Sequence, residues 1–220
     1  MTAITAWSYS RVELYERCPL AFKLRHIDKV PEEPSPAMER GNRVHADLAA
    51  HILGQGPIPA EGAKMAGMLG ELAALPMAMK SVEQEWGFDR HWNPTGWFGK
   101  DTWLRVKLDA CVVYPDGTAD VIDHKTGKKY ATNNDQMELF ALAVFRKFPD
   151  VVQATTRLWY VDSGDEVAKD FVVVDADYLM ARWEQRIEPM FADTVFAPRP
   201  NDKCRFCSYA KGKGGPCKFG

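Results

Sequence analysis

The sequence lacks any apolar stretch long enough to cross a membrane. Charged residues interrupt each hydrophobic run well before the roughly 18 residues that a spanning helix needs. Its first residues, Met1 to Ser8, have neither the basic start nor the apolar run of a secretory signal peptide. Internal repeats and low-complexity tracts are also missing from the sequence. These absences predict a globular protein of the cytoplasm.

The sequence also lacks a strong net charge. Its 28 basic and 30 acidic residues leave −2, so composition alone does not indicate a nucleic-acid-binding protein. Basic residues do concentrate near the C-terminus, at Arg199, Lys203, Arg205, Lys211, Lys213 and Lys218, against the single acid Asp202. Such a run is either a solvated tail or a stripe that binds DNA phosphates.

Cysteines are few and odd in number, and a reducing cytosol argues against structural disulfides. Three of the five, Cys204, Cys207 and Cys217, lie in the last 17 residues, and Cys18 lies near the start. Four thiolates can hold zinc or a [4Fe-4S] cluster, although free or redox-active thiols fit the same pattern. Cys111 is expected to be a buried packing residue because its neighbours are apolar.

Hydrophobic periodicity predicts helices in the first 80 residues and a mixture of strands and helices after them. Helices are expected over 8–29, 37–53, 61–80 with a break at Pro76, Asn134–Phe148 and Ala176–Ala192. Strands are expected over Val82–Phe88, Trp103–Tyr114, Thr118–His124, Thr155–Val161 and Ala168–Val174, with a hairpin turn at Pro115-Asp116-Gly117. This order predicts an α/β fold in which helices pack on a small mixed sheet.

Two acidic residues lie on neighbouring predicted strands that a short hairpin joins. Asp109 and Asp123 can therefore converge, and alternation places Asp123 and Lys125 on one side of the strand with His124 on the other. Carboxylates are ligands that Mg²⁺ prefers, the metal activates water, and a nearby lysine can stabilise a phosphoryl transition state. The three residues alone equally fit strand-end salt bridges with Lys125 or Arg105.

Two further polar residues lie on predicted helices. His45 follows Gly41 in the second helix, and Gln136 comes 11 residues after Lys125 at the start of a later helix. Taken singly, His45 fits a surface or satisfied core histidine, and Gln136 is an ordinary helix residue.

Taken in order, these segments resemble the RecB-like branch of the PD-(D/E)XK nucleases, especially the RecB-like exonucleases associated with CRISPR systems and their phage relatives. The segments are Ser8-Tyr-Ser10 leading into Tyr15-Glu-Arg-Cys18-Pro19-Leu20, Gly41-x3-His45, Leu108-Asp109, Val121-Ile122-Asp123-His124-Lys125-Thr126-Gly127, Gln136-x3-Phe140 and the cysteine tail. They span residues 8 to 217. The chain departs from the family at Lys107, where glycine is usual, and at Phe140, where tyrosine is usual.

The resemblance implies a restriction-endonuclease-like α/β core in one domain, residues 1–220, made of a helical part (1–80), a catalytic sheet and helix (81–175) and a helix with the cysteine tail (176–220). It implies Asp109, Asp123, Lys125 and Gln136 as catalytic residues, with Gln136 positioning the phosphate or the water. His45, Asp109, Asp123 and the backbone carbonyl of His124 would hold Mg²⁺ or Mn²⁺. A [4Fe-4S] cluster, with zinc as the alternative, would be held by Cys18, Cys204, Cys207 and Cys217, although the gap before Cys217 is longer than in relatives.

The function implied is that of a metal-dependent DNA exonuclease that hydrolyses phosphodiester bonds from single-stranded or duplex ends in recombination, repair or phage DNA metabolism. The alternatives are a structure-specific or single-strand endonuclease, a non-catalytic iron–sulfur DNA-binding module, and a zinc-binding interaction protein. The expected setting is the cytoplasm of a bacterium or phage-infected host, with DNA and a further copy or a recombination protein as partners. Trp97, Phe98 and Trp103 would either stack on bases or pack in the core.

Overall fold

The structure, a computed structural model, describes residues 4–127 and 133–220. They form two compact units, one of residues up to Ser35 together with Ala181–Gly220, the other of Pro36–Met180. The single domain expected over residues 1–220 therefore stays a prediction, and each unit is described separately below. In the part of the chain that the structure describes, no helix is long and apolar enough to cross a membrane.

Six α-helices lie along the described residues: α1 Tyr9–Arg17, α2 Pro19–His26, α3 Pro36–Ile52, α4 Ala66–Ala74, α5 Asn133–Lys147 and α6 Ala176–Ala192. Short 3₁₀ helices lie at Ala60–Met65, Val173–Asp175, Cys204–Phe206 and Lys211–Lys213. The six strands are β1 Lys80–Phe88, β2 Pro94–Thr95, β3 Leu104–Val113, β4 Thr118–Lys125, β5 Gln153–Tyr160 and β6 Asp165–Val172. The five predicted strands are confirmed with shifted ends, and β2 was missed because two residues show no alternation.

A mixed sheet forms the centre of the unit Pro36–Met180. Its strand order is β2-β1-β3-β4-β5-β6. β4 and β5 run parallel, and the other neighbouring strands run antiparallel. The helix α5 makes the crossover that the parallel pair requires and packs against β5. The predicted mixed α/β sheet flanked by helices is confirmed.

The helices α3 and α4 cover one face of this sheet. Their buried residues join side chains of β1, β3, β4 and β5 in one cluster, which includes Val44, Leu48, Ile52, Leu69, Leu72, Val82, Ala110, Ile122 and Trp159. Val44 and Leu48 are one helical turn apart and fully buried, so their packing fixes the rotation of α3 about its axis. His45, next to Val44, is thereby held at the edge of the packed face.

The side-chain alternation of β1 changes phase beside the candidate site. Val82 lies in the cluster with α3 and α4, whereas Trp86, an even number of residues away, packs against Phe148 just after α5, with ring centroids 5.7 Å apart. Regular alternation would place both on one face. Glu83 lies between them with a φ of 51°, a left-handed conformation that a strand residue rarely adopts.

Two predicted helices are wrong in their continuity. The helix expected over 8–29 is interrupted at Cys18, which has extended φ and ψ of −163° and 105°, because Pro19 disfavours the helical region for the residue before it. The helix expected over 61–80 is a 3₁₀ helix followed by α4, which ends at Ala74. Pro76 breaks the chain as expected, and Lys80 already begins β1.

Aromatic packing and one ion pair organise the unit that contains both chain ends. Trp7 stacks on Trp183 with ring centroids 5.5 Å apart, and both rings are buried. Arg186 donates to both carboxylate oxygens of Glu16, at 2.7 and 2.8 Å. This fork-to-fork geometry ties α1 to α6 with a charge-assisted pair.

Candidate metal and catalytic site

His45 and Asp109 meet at the edge of the sheet. His45 Nδ1 lies 3.0 Å from Asp109 Oδ1, and Asp109 Oδ2 accepts a hydrogen bond of 2.6 Å from the backbone N–H of His124. Both carboxylate oxygens of this buried aspartate are therefore bound. This contact joins α3 to β3, while the role of His45 and Asp109 as metal ligands stays a prediction.

The side chain of His124 enters the site from the same side as His45. Its Nδ1 is 3.5 Å from Asp109 Oδ2, and its ring centroid is 6.1 Å from that of His45. The donor atoms of His45, Asp109 and His124 all lie within 4.8 Å of one another. The family resemblance implied a role only for the backbone carbonyl of His124, and strand alternation placed its side chain away from Asp123 and Lys125.

Asp123, Lys125 and Gln136 form a closed triangle of polar contacts. Lys125 Nζ lies 2.7 Å from Asp123 Oδ2 and donates to Gln136 Oε1 at 2.7 Å. Gln136 Nε2 completes the triangle with a 3.4 Å contact to Asp123 Oδ1. Asp123 and Lys125 thus project towards α5, as the alternation of β4 predicts, while His124 projects towards α3.

The two carboxyl groups have opposite electrostatic environments. Burial alone would raise the pKa of Asp109, but the hydrogen bond from His45 and the neighbouring histidines lower it below its usual value. Burial raises the pKa of Asp123, and the charge of Asp109 adds to this effect, while Lys125 opposes it. Two acids whose pKa values are pushed apart are typical of catalytic centres.

Burial also affects the pKa values of His124 and Lys125. Burial lowers the pKa of His124 to about 4, so its ring is neutral near pH 7 and retains a lone pair. Burial would also lower the pKa of Lys125, but the charge of Asp123 and the hydrogen bond with it raise it, so the lysine stays protonated.

This donor set fits a divalent cation. Carboxylate oxygens suit Mg²⁺ and Mn²⁺, and neutral imidazole nitrogens are common ligands of transition metals. Among the described side chains, His124 Nε2 is a buried polar atom without a hydrogen-bond partner. Asp123 lies outside the group of three donors, so its predicted role as a metal ligand stays a prediction.

The cleft at His45 and Asp109 has a volume of about 750 Å³. Glu83, Lys107 and Thr126 are among the other residues that line it. Lys107 Nζ is 2.7 Å from Glu83 Oε2. The sequence marked Lys107 only as a departure from the family pattern, and it offered no signal for Glu83, whose approach depends on the pairing of β1 with β3.

The four cysteines of the predicted cluster line one cavity in the unit that holds the chain ends. Cys18, Cys204, Cys207 and Cys217 surround a space of about 130 Å³. The backbone N–H of Arg199 lies 3.5 Å from Cys18 Sγ, and that of Asn201 lies 3.3 Å from Cys204 Sγ. Hydrogen bonds to sulfur are a feature of iron–sulfur sites.

The remaining predicted residues divide between the core and the surface. Cys111 is buried as expected, and burial raises the pKa of its thiol to about 12. Trp103 is a core residue with 5% of its surface exposed, whereas Phe98 is 84% exposed. Phe140, in the position of the usual family tyrosine, is buried.

Comparisons with known proteins identify a family and a fold for this chain. A family model described as PD-(D/E)XK nuclease superfamily matches residues 6–92 and 61–211. The Gene 69 protein of Mycobacterium phage D29 is 23% identical over 255 residues, which cover 91% of this chain and 93% of that protein.

Two solved structures share the fold. One, of a protein named SSO0001, has 14% identity, a TM-score of 0.50 and coverage of 95% of this chain and 85% of its own. The other, from Eubacterium rectale and provisionally named an exonuclease, has 12% identity, a TM-score of 0.51 and coverage of 92% and 88%.

Proposed function

We propose, on the basis that this chain belongs to the PD-(D/E)XK nuclease superfamily, that it is a Mg²⁺- or Mn²⁺-dependent deoxyribonuclease that degrades DNA from its ends. The observation that carries the proposal is the partly buried triangle of Asp123, Lys125 and Gln136 beside the pair of His45 and Asp109. A structural salt bridge would need no glutamine between its partners and no second buried carboxylate nearby.

His45, Asp109 and Asp123 are the proposed metal-holding side chains, together with the backbone carbonyl of His124. A divalent cation in this position supplies Lewis-acid polarisation of the phosphate and lowers the pKa of water. The side chain of His124 is a further nitrogen donor within the group of three.

Lys125 is the proposed stabiliser of charge on the phosphate. Its ammonium group stays protonated because the charge of Asp123 opposes the effect of burial on its pKa. Preorganised charge in a site of low dielectric stabilises developing negative charge strongly. Asp123 Oδ2 and Gln136 Oε1 hold the ammonium in place, which leaves one of its three N–H donors for another partner.

The principal test is cleavage of end-labelled linear DNA with Mg²⁺ or Mn²⁺. Asp123→Ala and Lys125→Ala are expected to lose at least about 100-fold in rate, on the scale of a lost electrostatic stabiliser. Asp170→Ala and Lys169→Ala are matched controls, because both residues are exposed on β6 at the far edge of the sheet. Equal cleavage by the wild type and the two site variants would contradict the proposed centre.

Action from DNA ends is the finer part of the proposal. It is supported by the name of the Eubacterium rectale relative, which has the same fold. An exonuclease degrades linear DNA and leaves covalently closed circular DNA intact, whether single- or double-stranded. Cleavage of closed circles at a similar rate would instead identify the alternative, a structure-specific or single-strand endonuclease.

The four cysteines are proposed ligands of a [4Fe-4S] cluster, with zinc as the competing metal. The support is their common cavity and the backbone N–H groups near Cys18 and Cys204. Iron and acid-labile sulfide in stoichiometric amounts, with visible absorbance that Cys18→Ala removes, is the expected result for protein purified without oxygen. Stoichiometric zinc without sulfide would identify a zinc site instead.

A non-catalytic iron–sulfur module that binds DNA is the remaining alternative. The polar contacts of Asp109, Asp123 and Lys125 argue against it, since burying these groups costs free energy that a binding role does not require. Metal-dependent cleavage by the wild type excludes this alternative directly.

A further inference from the structure

Lys107 extends the candidate site along β3. It lies two residues before Asp109 and lines the same cleft as His45. More than half of its side chain, 54%, is exposed, and one carboxylate oxygen of Glu83 lies 2.7 Å from its Nζ. An ammonium group has three donors, so this contact orients the cation and leaves donors free towards the solvent.

Arg105 continues the same line of side chains. Residues 105, 107 and 109 are two apart on β3, and in its pairing with β1 Lys107 lies opposite Glu85 and Arg105 opposite Gly87. Each two-residue step along a strand is about 6.8 Å. The two cations therefore follow the buried aspartate along β3 in steps of this length.

The guanidinium of Arg105 lies against two aromatic rings. Its central carbon is 5.6 Å from the ring centroid of Trp97 and 5.5 Å from that of Phe98, and its Nε donates to the Trp97 carbonyl at 3.0 Å. The distances are those of cation–π contacts. The arginine, like Lys107, is thus held in place before any ligand arrives.

Phe98 is exposed on a segment that is itself well held. Its ring is 84% exposed, although hydrogen bonds close the backbone on both sides of it. Gly99 N–H donates to the Gly96 carbonyl at 2.9 Å, and Thr102 Oγ1 donates to the same carbonyl at 2.7 Å. A preorganised aromatic ring beside two cations is the combination by which proteins bind single-stranded nucleic acid.

We propose that Lys107, Arg105 and Phe98 form a binding track for one DNA strand, which leads the strand to the site at Asp109. The two cations contact successive phosphates, and Phe98 stacks on a base. The track deepens the proposed nuclease function and rests on it for its biological purpose. DNA fits better than a protein partner because both cations lie on the strand that carries a candidate metal ligand, next to an exposed aromatic ring.

The test measures binding of a fluorescein-labelled oligo(dT) strand to the full-length protein by anisotropy, in EDTA and over a range of salt concentrations. Each lost phosphate contact on a single strand reduces the salt slope, d log K/d log [salt], by about 0.7. Lys107→Gln and Arg105→Gln are each expected to lower the slope by about that amount. The matched control Lys169→Gln, an exposed lysine beside Phe171 on β6, is expected to keep the wild-type slope.

Phe98 is tested with a second ligand, an abasic strand of equal length. Phe98→Ala is expected to weaken binding of oligo(dT) by about fivefold or more, as for a lost base–aromatic stack, with an unchanged salt slope. Binding of the abasic strand is expected to stay the same. Circular dichroism checks that each variant is folded.

The outcomes separate the track from the nuclease function. The track is overturned if Lys107→Gln and Arg105→Gln keep the wild-type salt slope, or if Lys169→Gln lowers the slope as much as they do. It is also overturned if the wild type does not bind oligo(dT). If Phe98→Ala binds oligo(dT) as tightly as the wild type, the track is also overturned, and the exposed ring is better explained as a contact for a protein. EDTA prevents metal-dependent cleavage, so binding is measured separately from nuclease activity. If the salt slopes are as expected but the protein cleaves no DNA with Mg²⁺ or Mn²⁺, the track is supported and the nuclease proposal is contradicted.

Discussion

At the scale of single residues, Gln136 joins the lysine and the second carboxylate of the site. Its Oε1 accepts from Lys125 at 2.7 Å while its Nε2 lies 3.4 Å from Asp123 Oδ1. An amide can accept from one partner and donate to the other without adding charge. The neutral charge of Gln136 is therefore a property that a substitution can test at almost constant size.

Gln136→Glu is expected to lower the rate of DNA cleavage by about tenfold or more. A glutamate still accepts from Lys125, but its negative charge faces Asp123 and competes for the lysine. The measurement is kcat on linear DNA at saturating substrate. Asn134→Asp adds the same charge to an exposed position in the first turn of α5 and is expected to cleave like the wild type. Unchanged kcat in Gln136→Glu would contradict a positioning role.

His26 is expected to make stability depend on pH. Burial lowers the pKa of His26 to about 4, and the charges of Arg11, Arg25 and Lys29 act in the same direction against a smaller opposing effect of Glu32. The unfolded chain, with a pKa of 6.5, then binds a proton that the folded unit does not. Stability is therefore expected to fall as the pH decreases from about 6.5 to about 4.

The variant His26→Asn removes this dependence. Between pH 7 and pH 4 it is expected to lose less stability than the wild type, by on the order of 2 kcal/mol after allowance for the partial exposure of the ring. Urea unfolding at several pH values measures the difference. His91→Asn, at an exposed position, serves as the control. Parallel pH profiles of His26→Asn and the wild type would exclude this contribution.

At the scale of secondary-structure elements, the connection between α3 and α4 depends on one glycine. A Cβ at Gly62 would lie 2.9 Å from Leu69 Cδ1 and 3.1 Å from Leu48 Cδ2, both in the core. A Cβ added at Gly67, within α4, would meet no such neighbour within 4 Å. The two glycines therefore predict opposite effects of one added methyl group.

Gly62→Ala is expected to reduce the free energy of unfolding by about 1–2 kcal/mol through overpacking. Gly67→Ala is expected to increase it by about 0.5–1 kcal/mol, because alanine loses less backbone entropy in a helix. Urea denaturation of both variants measures the contrast. A stabilising Gly62→Ala would show that Leu48 and Leu69 repack without cost.

The phase change in β1 has the largest consequence for the site at this scale. It lets Val82 pack towards α3 and Trp86 towards α5, with Glu83 and its φ of 51° between them. Alternation along a sequence assumes a regular pleat, so it cannot indicate such a position. For this reason, the cleft residues Glu83 and Lys107 were recognised only in the folded sheet.

At the scale of the whole molecule, the four cysteines proposed as metal ligands are far apart in the chain. If they hold a metal as proposed, Cys204→Ala is expected to lose that metal and to lower the unfolding temperature by more than about 5 °C, because metal binding is coupled to folding. Cys111→Ala, in the sheet, is expected to keep the full metal content despite the loss of a buried group. Metal analysis and calorimetry test both variants. Full metal content in Cys204→Ala would contradict ligation by this residue.

The candidate site shows how far spacing along a chain can predict chemistry. Strand alternation placed Asp123 and Lys125 on one face, whereas Gln136 was singled out only by the family resemblance, because by itself it is an ordinary residue at the start of a helix. The side chain of His124 was missed, since alternation turns it away from Asp123. It reaches Asp109 only because α3 and the end of β3 meet on that second face.

The sequence by itself determined the order of helices and strands, the pair of acids on a hairpin, the cysteine-rich tail and, through Pro19, the break at Cys18, because these depend on local periodicity and on residue types. Only the tertiary structure decided the phase change at Glu83 and the approach of His45 and His124 to Asp109. These features depend on packing between segments that are distant in the chain. The folded surroundings then shift the two carboxyl pKa values in opposite directions, because the histidines outweigh burial at Asp109 whereas burial prevails at Asp123.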